Sequence, residues 1–106
     1  MDVITGLSGT GPAYIFALME AMVAAGKKLG LTPKLSRALT QQTVYGAAEL
    51  ASQGDEPKEL RLRVTSKKGT TWAAMKVFKQ RKFWGTVAEA IGAATKRSRQ
   101  LRKLRD

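Results

Sequence analysis

The sequence predicts an all-α protein, and three patterns carry that prediction. Apolar residues recur every three or four positions along most of the chain, which is the period of an amphipathic helix. Proline and glycine fall between these periodic segments, where helices begin and end. No stretch of useful length alternates polar and apolar residues as a strand would. We therefore predict about five helices in a single domain that spans residues 1–106.

The most apolar segment begins after Pro12, which stands where a first helical turn would start. Residues 8–11 are predicted to form the loop before it. Apolar side chains then occupy every face from Ala13 to Ala25, and only Glu20 interrupts them. A helix that is apolar all round must be buried, yet this segment is shorter than the roughly 20 residues that span a bilayer. We predict a core helix that a second copy of the chain covers, since the chain is too short to surround it.

The second helix is predicted to run from Thr32, as N-cap, through Pro33 to about Ala51. Gly46 lies inside this helix, where glycine costs about 1 kcal/mol relative to alanine. We therefore expect another helix to approach closely at that position. The inward positions of this helix would be apolar residues at helical spacing: Leu35, Leu39, Val44, Ala47 and Leu50.

Three further helices complete the prediction. Asp55 would cap a short helix that reaches Arg63, and a loop would follow as far as Gly69. A fourth helix would run from about Thr71 to Lys79, before residues 81–85 turn the chain. The last helix has the clearest apolar period: Trp84, Val87, Ile91, Ala94, Ser98 and Leu101.

The composition excludes several kinds of chemistry. The chain has no cysteine and no histidine, so thiolate chemistry and the commonest general base and metal ligand are all excluded. Its eight carboxylates are scattered without a metal-binding spacing. We predict no catalytic residue and no metal site in this chain. No signal-peptide pattern opens the sequence, so a cytoplasmic location without membrane attachment is expected.

Positive charge is concentrated in the second half of the chain. The net charge is +11, and 15 of the 19 lysine and arginine residues follow Pro57. Such a balance attracts nucleic acid or other polyanions. The three aromatic residues that could stack on bases lie at helical spacing and are expected in the core: Trp72, Phe83 and Trp84. The sequence therefore favours a solvated positive face over nucleic-acid binding.

Residues 65–71 form the best candidate binding site. They bring two hydroxyls, two ammonium groups, a glycine and two more hydroxyls directly before a helix. Free N–H groups at a helix N-terminus, with the helix dipole, favour a carboxylate or phosphate. A simple polar cap, in which Thr70 or Ser66 bonds the first turn, is the alternative. The spacing does not match a P-loop.

The glycines near the N-terminus do not form a dinucleotide site. Gly6, Gly9 and Gly11 are out of register with the G-x-G-x-x-G pattern. No predicted strand precedes them, and no βαβ unit surrounds them. A Rossmann fingerprint is therefore excluded within these residues.

Two segments together resemble the signatures of a known family. They read SGTGPAY at residues 8–14 and TSKKGTT at residues 65–71. Both segments resemble the signatures of the C-terminal domain of pyrroline-5-carboxylate reductase, the enzyme that makes proline. The similarity extends to residues 42–48 and residues 89–98, and so covers nearly the whole chain.

The resemblance implies an interlocked, all-α helical-bundle homodimer, similar to the C-terminal domain of 6-phosphogluconate dehydrogenase. The family reduces 1-pyrroline-5-carboxylate to L-proline with NAD(P)H, which an N-terminal Rossmann domain holds. By matching position, one set of residues would bind the carboxylate of the imino acid or proline: Ser66, Gly69, Thr70 and Thr71. A second set would line the wall near the nicotinamide: Ser8, Gly9, Gly11 and Pro12.

The sequence departs from this family in three respects. The 106 residues hold no Rossmann domain, so this chain by itself is expected to bind no NAD(P)H and to be inactive. The family's substrate loop usually reads Ser-Pro-Gly-Gly, and here Lys67 and Lys68 replace the proline and the first glycine. Residues 96–105 carry more positive charge than the family's last helix. The alternative is a non-catalytic basic dimer, an excised or engineered scaffold that has lost the pocket and binds polyanions weakly.

Overall fold

A computed structural model describes residues 1–105, and these residues are helical apart from short connections. The five longer helices agree with the all-α prediction, and two short segments precede them. The elements in chain order are α1 (Asp2–Ile4), a π-helical turn (Thr5–Gly9), α2 (Gly11–Lys28), α3 (Pro33–Ala51), α4 (Pro57–Arg63), α5 (Thr70–Gln80) and α6 (Phe83–Arg105).

The described residues group into two compact units. The first, which we call the terminal unit, contains residues 1–14 and the described residues from Lys67 onward. The second, the central unit, contains Ile15–Ser66. Each is described by itself below. The prediction of a single domain stays a prediction.

In the central unit, α2 and α3 pack closely where Gly26 meets Ser36. The Ser36 side chain is only 2% exposed, and its hydroxyl donates a hydrogen bond to the Val23 carbonyl at 2.8 Å. A β-carbon at Gly26 would overlap the Ser36 hydroxyl and lie 3.3 Å from a methyl group of Leu31. Glycine is therefore required at residue 26 because the two helices approach too closely for any side chain there.

The predicted start of α3 is confirmed, because the Thr32 hydroxyl accepts a hydrogen bond from the Leu35 N–H at 3.1 Å. The inward face of α3 was predicted wrongly for the single chain. Leu35, Leu39 and Leu50 are exposed, whereas the residues that α3 buries are Ser36 and Thr40. The cause is that α3 meets α2 through small side chains, which leaves its leucines uncovered.

Two further predictions for the central unit are not met within the single chain. Within residues 1–105, no atom outside the helix backbone and the neighbouring residues lies within 4 Å of a β-carbon built at Gly46, so no helix of the same chain makes the expected close approach, and approach by a helix of a second copy stays a prediction. Asp55 does not cap α4, since the N-cap is Glu56. The Asp55 carboxylate instead accepts a hydrogen bond from Arg63 at 3.0 Å, and both side chains are exposed.

In the terminal unit, the π-helical turn packs against α6. Residues 8–11 were predicted to be a loop, but Ser8 and Gly9 belong to this turn and Gly11 begins α2. A β-carbon at Gly6 would overlap the Thr95 hydroxyl and lie 3.0 Å from the Ile91 carbonyl. The missing side chain at Gly6 thus lets the turn approach α6, and this contact keeps the segment helical.

Polar contacts hold the same turn in place. The Tyr14 hydroxyl donates a short hydrogen bond to the Gly6 carbonyl. Asp2, whose side chain is 13% exposed, pairs with Arg102 at 2.9 Å and with Arg99 at 3.8 Å. The Ser98 hydroxyl also donates to this carboxylate at 3.1 Å. The positive charge at the end of α6 is therefore partly neutralised by an acid from the other end of the chain.

Aromatic side chains join α5 to α6. The rings of Phe78 and Phe83 stack with centroids 4.8 Å apart, and Phe83 meets the ring of Trp84 edge-on at 5.5 Å. Both tryptophans were expected in the core, but Trp72 and Trp84 are exposed. Of the three aromatic residues expected in the core, Phe83 is half-buried.

No apolar side chain of the described residues is fully buried in the single chain. Large apolar residues of α2 and α3 face outward, among them Phe16, Leu39 and Tyr45. Monomeric proteins rarely expose contiguous apolar surface of this kind. The helices are formed in one chain, but their apolar faces lack the cover that a hydrophobic core requires.

Candidate functional site

The loop before α5 ends in a helix N-terminus that no side chain caps. Gly69 is the N-cap residue, and within residues 1–105 no side chain bonds the first turn of α5. The alternative in which Thr70 or Ser66 satisfies this turn is therefore wrong. The Gly69 carbonyl accepts the first helical hydrogen bond, from the Ala73 N–H at 3.1 Å. The N–H groups at the start of the helix remain available to an anion.

The hydroxyl groups of this loop are also available. Ser66 and Thr70 are exposed, and Thr71 is half-buried. In the described part of the chain none of these three side chains forms a hydrogen bond, whereas the Thr65 hydroxyl donates to the Arg61 carbonyl at 2.6 Å. The structure thus leaves free donors on Thr70 and Thr71 beside the open helix end.

Lys67 and Lys68 are both exposed in this loop. Lys68 has a φ angle of +59°, in the left-handed region that favours glycine. A non-glycine residue there costs about 1–2 kcal/mol. The resemblance places Lys68 where the family's loop usually has its first glycine, and the positive φ of Lys68 is consistent with that placement.

The second set of predicted site residues lies around the start of α2. Ser8 and Gly9 end the π-helical turn, and Gly11 and Pro12 form the first turn of α2. Ser8, Gly9 and Pro12 are exposed, and the Ser8 hydroxyl forms no hydrogen bond within residues 1–105. The space beside Gly11 is open, since a β-carbon there would meet nothing of the described chain within 4 Å. These residues form a surface that a ligand could approach closely.

The structure groups these residues by element. Gly69, Thr70 and Thr71 lie together at the start of α5 in the terminal unit, which also contains the second set. Ser66 is the last residue of the central unit. Among residues 1–105, no hydrogen bond joins one set to the other, and no group of three acidic, histidine or cysteine side chains could hold a metal ion.

Sequence reasoning missed an open groove between the start of the chain and the end of α6. Its volume is about 590 Å³, and it is lined by Thr5, Thr10, Ala94, Arg97, Ser98, Leu101, Leu104 and Arg105. The role of Tyr14 in holding the turn beside this groove was also missed. The eight-residue spacing from Gly6 to Tyr14 is too long for a helical contact signal. The hydrogen bond joins Tyr14 to the π-helical turn that contains Gly6.

These observations define a class of protein: a helical domain whose apolar side chains lack cover within one chain and which carries a helix N-terminus without a side-chain cap. Residues 1–101 match the family described as "Pyrroline-5-carboxylate reductase dimerisation", and the chain belongs to this family. The resemblance and the all-α fold expected from residues 8–14 and 65–71 are thereby confirmed.

Individual relatives agree with this assignment. The chain is 50% identical over 102 residues to pyrroline-5-carboxylate reductase of Pseudomonas aeruginosa, and 46% identical over 101 residues to that of Glycine max. These matches cover 95% and 94% of this chain but only 37% of each relative. The chain therefore spans little more than a third of the length of these relatives.

Two solved structures have the same fold. A pyrroline-5-carboxylate reductase from Coxiella burnetii matches with a TM-score of 0.90 and 42% identity, over 94% of this chain and 37% of that one. The Plasmodium falciparum pyrroline carboxylate reductase, solved with NADP bound, matches with a TM-score of 0.87 and 35% identity. That match covers 92% of this chain and 40% of the other.

Membership of a dimerisation family implies that the chain forms a homo-oligomer. This agrees with the uncovered apolar faces of α2 and α3. Within the part of the chain that the structure describes, no helix combines the length and hydrophobicity needed to cross a membrane.

Proposed function

We propose that this chain forms an interlocked homodimer and supplies the substrate-binding part of a pyrroline-5-carboxylate reductase. In this proposal the whole enzyme reduces 1-pyrroline-5-carboxylate to L-proline with NAD(P)H. The observation that carries it is the uncapped N-terminus of α5, preceded by the hydroxyl-rich loop of the family's second signature. A cytoplasmic location stays a prediction from the sequence.

The substrate's carboxylate is the group that suits this helix end. The open N–H groups near Thr70 and Thr71 carry the positive end of the helix dipole, which favours an anion by about 0.3–1 kcal/mol. The Thr71 hydroxyl, half-buried and without a partner among residues 1–105, adds a donor to the same ligand. Ser66 and Gly69 are included in the proposed site because they match the family's loop by position.

The cofactor would approach from the other predicted surface. NADP is bound in the Plasmodium falciparum structure, and we propose that NAD(P)H serves the whole enzyme here. Ser8, Gly9, Gly11 and Pro12 fit a wall near the nicotinamide, since three of them are exposed and the space beside Gly11 is open. The cofactor supplies the hydride, and the role of these residues is to exclude water and orient the imino acid.

The 106 residues contain no dinucleotide fingerprint, so we expect no turnover from this chain alone. The check is to follow NADPH absorbance in the presence of pyrroline-5-carboxylate. A rate above that of the protein-free mixture would contradict this part of the proposal.

Titration calorimetry with L-proline tests the proposed carboxylate site. We expect saturable binding to the unmodified chain and its loss in Thr71→Ala. Thr43→Ala is the matched control, because it removes a threonine hydroxyl from an exposed position on α3. Equal binding by Thr71→Ala and the unmodified chain would contradict the site, and circular dichroism would confirm that both variants fold.

The second candidate function is a non-catalytic helical dimer whose pocket is lost. The observation that favours it is the exposed Lys67-Lys68 pair, which places bulk and a strained φ angle in the substrate loop. The same titration separates the two candidates. Absence of proline binding to a chain that light scattering shows to be dimeric would support the second.

A further inference from the structure

The central unit contains an open groove between α2 and α3. Its volume is about 450 Å³, and six residues of α2 line one side: Phe16, Met19, Glu20, Val23, Ala24 and Lys27. These six recur every three or four positions, so they share one face of the helix, which we call the α2 face. Arg37 and Gln41 of α3 line the other side. The groove is therefore apolar along α2, with charged side chains of both signs beside the apolar ones.

Two opposite charges stand on the α2 face without a partner. Glu20 and Lys27 are exposed, and within residues 1–105 neither side chain forms an ion pair. They lie seven residues apart, close to two helical turns, so both point to the same side of α2. Ion pairs along one helix form at a spacing of three or four residues. Each of these two charges therefore needs a partner from another helix.

A second copy of the chain is the occupant that suits this groove. Family membership implies a homo-oligomer, and the exposed ring of Phe16 needs cover. Covering the α2 face also takes Glu20 and Lys27 out of water, which is costly unless an opposite charge meets each of them. In a two-fold dimer, a residue that contacts a second residue of the partner is matched by the reverse contact. One face with both signs of charge can therefore satisfy itself twice.

The positions of the two charges decide the orientation of the paired helices. In a parallel pair, Glu20 would lie level with Glu20 of the second copy and Lys27 level with Lys27, and like charges placed together are unfavourable. In an antiparallel pair whose two-fold axis passes between Val23 and Ala24, each Glu20 lies opposite a Lys27. The antiparallel pair thus neutralises both charges and brings the apolar side chains of Val23 and Ala24 together at the axis.

The last two helices of a second copy suit the groove less well. α5 contains no carboxylate, and Glu89 is the one carboxylate within Phe83–Arg105, where six cations follow it. These helices could bring cations to Glu20 but no acid to Lys27. The α2 face itself is the surface that supplies both.

We infer that α2 pairs antiparallel with α2 of a second copy, joined by two reciprocal ion pairs between Glu20 and Lys27. The inference rests on the proposed homodimer and adds the face through which the two copies meet. With α3 beside each α2, the two central units then form a four-helix arrangement around the two-fold axis. Arg37 lines the same groove and is the competing partner for Glu20.

The test reverses the two charges separately and together. Glu20→Lys and Lys27→Glu should each raise the dissociation constant of the dimer about 30-fold or more, the lower end for removing one partner of a buried charge pair. Glu20→Lys/Lys27→Glu should restore the dimer, because both ion pairs form again with their charges exchanged. Analytical ultracentrifugation in about 0.15 M salt compares the three variants with the unmodified chain.

Mixing the two single variants gives the sharpest measurement. A dimer of one Glu20→Lys chain and one Lys27→Glu chain contains two attractive pairs, whereas each homodimer contains two repulsive pairs. Native mass spectrometry, with one variant isotope-labelled, should therefore find mostly heterodimer, well above the half that random exchange gives. The two chains are mixed in urea and refolded together, so the result does not depend on either variant folding alone.

Lys28→Glu mixed with Glu49→Lys is the control, because both positions are exposed and neither lines the groove. This mixture should stay at one half heterodimer. A dimer that Lys27→Glu leaves intact would overturn the inference, and a loss confined to Glu20→Lys would assign Glu20 to Arg37 instead. Random exchange between the two groove variants would also overturn it. Each of these results leaves the homodimer standing, whereas a monomeric unmodified chain would contradict the proposed function itself.

Discussion

Asp2 and Arg102, from opposite ends of the chain, are joined by an ion pair with Oδ2 and Nη2 2.9 Å apart. The Asp2 side chain is mostly buried, and it also accepts a hydrogen bond from the Ser98 hydroxyl. This carboxylate fixes α1, and with it the π-helical turn, against the last helix. Asp2 lies outside the family's first signature at residues 8–14, but its contacts hold the start of that signature against α6.

Asp2→Asn should lower the free energy of unfolding by about 1.5–3 kcal/mol, the usual contribution of a hydrogen bond to a charged group. Asp55→Asn is the matched control, since its ion pair with Arg63 is exposed and should change stability by less than about 0.5 kcal/mol. Urea unfolding at one protein concentration measures both. Equal effects of the two substitutions would show that the Asp2 cluster contributes no more than a surface pair.

Gly6→Ala should destabilise the protein by about 1–3 kcal/mol, the usual cost of overpacking. The new methyl group would overlap the Thr95 hydroxyl and press on the Ile91 carbonyl, which is backbone and cannot move aside. Gly92→Ala, on α6 with open space in the described chain, should instead gain up to about 1 kcal/mol. Thermal unfolding compares them, and an unchanged melting temperature for Gly6→Ala would refute the close approach.

Lys68→Gly should stabilise the chain by about 0.5–1 kcal/mol, because glycine adopts a φ of +59° without the steric penalty that lysine has there. Lys67→Gly is the control: Lys67 has no positive φ, so glycine adds only unfolded-state entropy and should destabilise. Chemical denaturation gives both values. A loss of stability in Lys68→Gly would mean that the loop does not hold this conformation.

The mass in solution should be twice that of the 11.5 kDa chain, and the melting temperature should rise with protein concentration. Light scattering after size exclusion in about 0.3 M salt, which suppresses charge artefacts, gives the mass. Phe16→Asp places a carboxylate on the exposed apolar face of α2 and should weaken the dimer. Lys34→Asp, at an exposed polar position, should not. A folded monomer of the unmodified chain would rule out the interlocked dimer.

Local patterns were sufficient to predict the helices and the family. Thr32 and Pro33 begin α3 as expected, because capping and proline geometry depend only on neighbouring residues. The signatures at residues 8–14 and 65–71 were likewise recognisable, because each consists of consecutive residues. The loop predicted at residues 8–11 is reduced to Thr10, because the π-helical turn packs against α6, which is distant in sequence.

Sequence patterns alone predict the all-α class, the main helix boundaries and the family, and they supply the residues proposed for the candidate site. The residues that each unit buries, the ion pair between Asp2 and Arg102, and the exposure of Trp72 follow from the tertiary structure. The two kinds of feature differ in the range of the interactions behind them. Helix formation and capping act within about four residues, whereas burial and ion pairing depend on which segments meet in space.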